Sequence, residues 1–183
     1  MPAALRHSRP PLPRFAVAWF PKFAGIDRIE AFRARHDPAA EHVPAHLTLV
    51  FPFATALKRL QLETHVQRVV SHWPPVAVTF RPVRLHANEF LFLMASRGAA
   101  SITALHDKLY TRSLAPHLRR DLPFEPHMTL ARHEEYDRLE AAFREATDAF
   151  GGEFGDVLRE VTLLAVDGNG RISPLSTIAL HTA

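Results

Sequence analysis

Two of the twelve histidines in this chain are followed by threonine at the second position and leucine at the third. They are His46 (HLTL) and His127 (HMTL). From this composition only about 0.09 copies of His-x-Thr-Leu are expected by chance, so a pair is a specific signal. Side chains of a strand alternate faces with a period of two. His46 and Thr48 therefore share one face, and Leu47 and Leu49 the other. His127 and Thr129 repeat this, with Met128 and Leu130 opposite. An imidazole can accept or donate a proton near neutral pH. Two imidazoles on opposite sides of a phosphorus atom can deprotonate an attacking hydroxyl or water and protonate the leaving oxygen. Threonine hydroxyls beside them can hydrogen-bond the non-bridging oxygens.

Such a quartet forms only if two strands from distant parts of the chain are brought face to face. Hydrophobic patterning supplies them. Arg14–Phe20, His46–Phe53 and Val76–Leu85 read as strands, with Pro82 requiring an edge or a bulge. Ile26–His36 and Leu57–Trp73 between them carry apolar residues at helical spacing. The second half repeats the order: strand Glu89–Ser96, helix Ser101–Leu114, strand His127–Arg132, helix Tyr136–Phe150 and strand Val157–Val166. A last strand, Ile172–Leu180, follows the turn Asp167-Gly168-Asn169-Gly170. The expected fold class is α+β and bilobal. Two pseudo-twofold related lobes, roughly 14–85 and 86–183, each have a sheet with flanking helices, and a groove lies between them. Residues 1–13, rich in Pro and Arg, read as a disordered N-terminal segment.

Composition removes several alternatives. The chain has no cysteine, which excludes disulfides, thiolate nucleophiles and cysteine metal sites. No apolar run is long enough for a membrane helix and no signal peptide is evident, so the cytoplasm is the expected compartment. Net charge is +3, from 22 basic and 19 acidic residues. Nineteen of the 22 are arginine, the better fork for phosphate. Walker A, G-x-G-x-x-G, G-x-S-x-G and H-E-x-x-H motifs are absent. His36, His42 and His46 lack a well-placed carboxylate, so no metal and no cofactor is expected.

The two motifs and their flanks resemble the 2H phosphoesterase superfamily, in particular its 2′-5′ RNA ligase and RNA 2′,3′-cyclic phosphodiesterase members. RFAVAWFP is similar to that family's opening strand, PAHLTLVFPF to its first motif and PFEPHMTLAR to its second. The resemblance implies the bilobal fold already expected. It implies His46 and His127 as the catalytic pair and Thr48 and Thr129 as phosphate-binding residues. Arg132 stands at the family's arginine position, although simple alternation places it on the face of Leu130. Phe53 is a candidate stacking surface for a base, Phe51 a core residue, and Arg119 and Arg120 a steering pair or a solvated loop. The implied activity is a metal-independent phosphodiesterase acting on 2′,3′-cyclic phosphate ends of RNA or nucleotides, with a 2′-phosphate product and reversible 2′-5′ ligation. Its implied partners are RNA ends or cyclic and 2′-5′ linked nucleotides, with no membrane, and the protein is expected to be a monomer. The alternatives are an RNA- or nucleotide-binding module without turnover and a basic adaptor.

Overall fold

The computed structural model describes residues 11–181. Residues 1–10 of the expected disordered segment lie outside the described residues. Among the described residues are eight strands and four α-helices: β1 (Arg14–Trp19), α1 (Ile26–His36), β2 (Leu47–Ala54), α2 (Arg59–Val70), β3 (Val76–His86), β4 (Phe90–Ala95), α3 (Ala99–Leu109), β5 (His127–Arg132), α4 (Tyr136–Ala149), β6 (Phe154–Leu158), β7 (Glu160–Val166) and β8 (Ile172–Ala179). The fold is α+β, as expected.

The expected sheet in each half is instead one eight-stranded sheet in the order β6-β3-β4-β5-β2-β1-β7-β8. All its pairings are antiparallel. The two motif strands meet at its centre through the pair Leu47↔Met128. The halves of the chain also exchange strands. β3 comes from the first half but pairs with β4 and β6, while β7 pairs with β1 and brings β8 beside it. The stretch expected as one strand, Val157–Val166, divides at Arg159. β6 ends one flank of the sheet and β7 lies on the other. Only a curled sheet can let two strands one residue apart in sequence sit at opposite flanks.

The helices cover the face carrying the apolar side of each motif. Leu47, Leu49, Met128 and Leu130 are fully buried in the main core with Ile29 and Phe32 of α1 and Leu105 and Leu109 of α3. The helices also cross between motifs, α1 packing on β5 and α3 on β2. α3 begins at Gly98 with φ +81°, where a Cβ would stand 2.5 Å from the Ala77 carbonyl oxygen. Glycine is what allows α3 to start so close to β3. Pro82 sits at a register shift of β3 against β4 and beyond the last β6 partner, Phe80. No ladder hydrogen bond is therefore sacrificed there. Among the described residues no helix is long and apolar enough to cross a membrane.

Candidate active site

Alternation along β2 and β5 places the four polar motif residues on the sheet face away from the helices. Each is half-buried, whereas the leucines and methionine between them are sealed. The central pair is Leu47↔Met128. His46 and Thr48 flank one member of that pair and His127 and Thr129 the other. The two rings are close enough for charge on His46 to lower the His127 pKa.

Both rings are oriented by the same contact. His46 Nδ1 lies 2.8 Å from the Pro44 carbonyl oxygen, and His127 Nδ1 lies 2.5 Å from that of Glu125. A carbonyl oxygen only accepts, so Nδ1 carries the proton in each ring and donates it. In the neutral form Nε2 is then the basic nitrogen, turned away from the backbone. Burial pushes the His46 pKa below the usual imidazole value. His127 is pushed down to about 3, first by burial and then by the positive charge of His86, His46 and Arg84.

The carriers of the two rings differ. The loop before His46 is held by buried charge on α1. Arg33, 1% exposed, pairs with Asp37 at 2.8 Å and Glu30 at 3.2 Å, and donates to the Val43 carbonyl at 3.0 Å. Glu30 accepts from the Ala45 N–H at 2.6 Å. His127 is braced by rings instead. Phe92 of β4 stacks on it with centroids 3.6 Å apart and planes 18° apart, and His86 stacks on the other side of Phe92 at 4.8 Å. Arg84 forms an ion pair with Glu125, whose carbonyl holds the His127 ring. Alternation within β3 and β4 could have grouped Arg84 with His86 and Phe90 with Phe92. Their meeting with His127 needed the register Phe92↔Thr129 and Arg84↔Phe92.

Arg132 reaches the motif face through an irregularity in β5. Thr129 pairs with Phe92, but Ala131 pairs with Leu91 and Arg132 with Phe90. The extra residue buries both Leu130 and Ala131 and returns Arg132 to the side of Phe90 and Phe92. Its guanidinium lies 5.4 Å from the Phe90 ring centroid and pairs with Glu89 at 2.5 Å. β2 has the same extra residue between the pairs Ala18↔Thr48 and Val17↔Val50. Phe53 departs from the expectation of a base platform. A second register shift pairs it with Phe15 in the core, where it is 7% exposed against the rings of Phe15 and His117. Phe51 is half-buried against His106 and Phe124. There β2 has parted from β5 and α3 covers its edge. His106 Nδ1 donates to the Leu49 carbonyl at 2.8 Å, and the Tyr110 hydroxyl accepts from the Phe51 N–H at 2.9 Å. Arg119 is tied to Asp121 at 2.6 Å and Arg120 is exposed. His36 bonds His133 at 3.3 Å and Glu145 at 3.1 Å.

A curled antiparallel sheet with a His-x-Thr strand from each half of the chain at its centre defines the class of 2H phosphoesterases. Residues 21–169 match the family profile of the 2′-5′ RNA ligase superfamily, and the chain belongs to that family. A protein of Halalkalibacterium halodurans named as a phosphoesterase is 31% identical over 135 residues, covering 68% of this chain and 73% of that one. Another so named, from Bacillus licheniformis, is 26% identical over 126 residues, 64% and 70% of the two chains. Among solved structures, E. coli LigT complexed with NADP+ superposes with a TM-score of 0.61 at 21% identity, covering 93% of this chain and 99% of that one. TT0787 of Thermus thermophilus superposes at 0.64 and 17% identity, covering 91% and 97%. At these identities the two structures speak for the fold.

Proposed function

We propose that this protein is a metal-independent phosphodiesterase that opens 2′,3′-cyclic phosphates at RNA ends or on nucleotides. The observation that carries the reading is the matched pair of imidazoles. Both donate Nδ1–H to the carbonyl two residues back, which leaves two Nε2 atoms free to act on one phosphorus. The nucleotide class of substrate is supported by the relatives in fold, since LigT has been solved with 3′-AMP, with ATP and with phosphate.

The two depressed imidazoles divide the work. His127, pushed down to about 3 by burial and neighbouring positive charge, is neutral and serves as the base, and His46 donates the proton to the leaving oxygen. Bound phosphate carries negative charge, which raises both values and lets His46 enter the reaction protonated. Nε2 of His127 takes a proton from water as the water oxygen bonds to phosphorus. The P–O3′ bond breaks, and His46 delivers its Nε2 proton to O3′. The products are a 2′-phosphate and a 3′-hydroxyl. Thr48 and Thr129 donate to the non-bridging oxygens as charge develops on them, and Arg132 adds positive charge on the same face. With a ribose 5′-hydroxyl in place of water, the site would form a 2′-5′ bond, and the same steps reversed would cleave it.

The test is incubation of nucleoside 2′,3′-cyclic phosphates with the protein in excess EDTA, with chromatography separating 2′- from 3′-phosphate. The expected result is a 2′-phosphate at an undiminished rate. Activity lost on chelation and restored by one divalent ion would overturn the mechanism, as would an exclusive 3′-phosphate product the assignment of the leaving oxygen.

A further inference from the structure

A second basic surface lies on the helical side of the molecule, away from the face that carries His46 and His127. Two cavities of about 530 and 470 Å³ share His72 and Trp73 and form one trough. The first includes Arg97 and Ser101 at the start of α3. The second includes Arg68 of α2, Lys108 at the end of α3, and Arg112 beyond it. Ser101 and Lys108 are seven residues apart and stand on one side of α3, and His72, just beyond α2, donates from Nδ1 to the Arg68 carbonyl oxygen at 3.1 Å. The trough therefore follows α3 from end to end, a length of about 16 Å at ~1.5 Å per residue.

Its charge is unusual for this molecule. Of the twenty Lys and Arg among the described residues, ten stand in an ion pair with a carboxylate. Arg68, Arg97, Lys108 and Arg112 are four of the other ten, and no carboxylate lines either cavity. Compensation of helix dipoles accounts for Arg68 and Lys108, which sit in last turns. It does not account for Arg97, at the opposite end of α3, or Arg112, in the following turn. Between these cations lies the half-buried ring of Trp73. A row of cations flanking an accessible aromatic ring is the chemistry that holds a single strand, the cations on its phosphates and the ring on a base.

We propose that this trough is an RNA-binding track, which takes a single-stranded segment remote from the strand end that enters the groove. The assignment rests on the reading of the protein as an RNA-end phosphodiesterase, and it distinguishes RNA from a free nucleotide as the preferred substrate. Arg68 and Lys108 are exposed, so their reversal leaves the core intact.

The experiment measures binding of a 5′-labelled, single-stranded 12-mer RNA with a 3′-phosphate by fluorescence anisotropy across a salt series. It compares the full chain with the Arg68→Glu/Lys108→Glu double variant. Turnover of a nucleoside 2′,3′-cyclic phosphate is measured on the same samples. The double variant should bind RNA at least tenfold more weakly, with a salt slope flatter by about 1.4 for two lost phosphate contacts. Its turnover of the mononucleotide should be unchanged. RNA should also quench Trp73 emission, since the other tryptophan, Trp19, is 3% exposed. Unchanged RNA affinity and salt slope in the variant would overturn the track. So would equal binding of a poly-aspartate peptide of matched charge without quenching, which would make the trough a surface for acidic proteins. If wild type opens neither the cyclic mononucleotide nor a 12-mer RNA ending in a 2′,3′-cyclic phosphate, yet binds RNA in a trough-dependent way, the phosphodiesterase reading falls and the RNA track stands.

Discussion

The two histidine motifs are near copies in sequence, yet their supports are built from different physics. His46 stands on a loop pinned by a buried ion network, in which Arg33 joins Asp37, Glu30 and the Val43 carbonyl. His127 is held by a ring stack, Phe92 on its face and His86 beyond, with the Arg84–Glu125 pair at the border. Charge holds one ring by distance and direction. Stacking holds the other by contact, and it also removes water. The two imidazoles therefore meet different surroundings, whereas pseudo-symmetry alone would give them equal ones. At work, one ring of an acid–base pair is neutral and the other protonated.

The largest expected effect tests whether both rings are needed. His46→Ala and His127→Ala should each lower kcat by roughly 10² to 10⁴ on a cyclic phosphate. They should remove opposite limbs of the pH profile: the base variant loses the acidic limb, the acid variant the alkaline one. Loss of the same limb from both would dissolve the distinction between the motifs.

Stability should separate the supports next. Arg33→Met leaves Asp37, 6% exposed, as a buried carboxylate without its partner. Removal of one member of a buried pair costs about 3–5 kcal/mol, readable in denaturant unfolding. Arg84→Met breaks a pair whose side chains are 45% and 39% exposed, and such pairs contribute less than about 1 kcal/mol. Equal losses would mean that the second motif depends on charge as much as the first.

The threonines should behave alike despite these different surroundings, because each stands two residues from its own imidazole on the same strand face. Thr48→Val and Thr129→Val keep the β-branch and remove only the hydroxyl. A lost hydrogen bond to a charged oxygen is worth about 1.5–3 kcal/mol. That corresponds to a drop of roughly 10- to 150-fold in kcat/KM, with Tm nearly unchanged. Thr→Ser at either position should restore much of it. Two fully active, well-folded valine variants would make both threonines ordinary strand residues.

The smallest effect sharpens the contrast most. A base must be neutral, so activity rises as pH climbs through the His127 value. An acid must be protonated, so activity falls as pH climbs through that of His46. With His127 at about 3 and His46 below 6.5, the bell of kcat/KM, which reports the free enzyme, should lie on the acid side of pH 6.5. Because the two rings interact, the limbs belong to the pair. The bound phosphate raises both, so the bell of kcat should lie higher. Phe92→Leu readmits water to His127 and should move the acidic limb upward, while the alkaline limb stays near its place. An acidic limb that does not move would mean that Phe92 merely fills space.

Much of this was legible before any coordinates. Alternation put Leu47, Leu49, Met128 and Leu130 in the core and the two His-Thr pairs on the other face, because a strand's pleat is a local property. The duplicated order of elements and the need for a bulge or edge at Pro82 were equally local. Arg132 was not. One extra residue after Thr129 turns Arg132 to the motif face, whereas the two register shifts after Thr48 cancel and leave Phe53 on the core face that alternation with Leu47 and Leu49 gives it. A bulge depends on the partner strand, and a one-residue slip exchanges the faces of everything beyond it. The exchange of β3, β7 and β8 between the halves belongs to the same class of fact. So does the stacking of Phe92 on His127, two side chains 35 residues apart in sequence joined only by register. The sequence by itself determined which residues could do acid–base chemistry and which face of each strand they occupy. Tertiary structure alone decided how the two imidazoles differ, because their supports come from α1 and from β3 and β4, and non-local pairing energies select those neighbours.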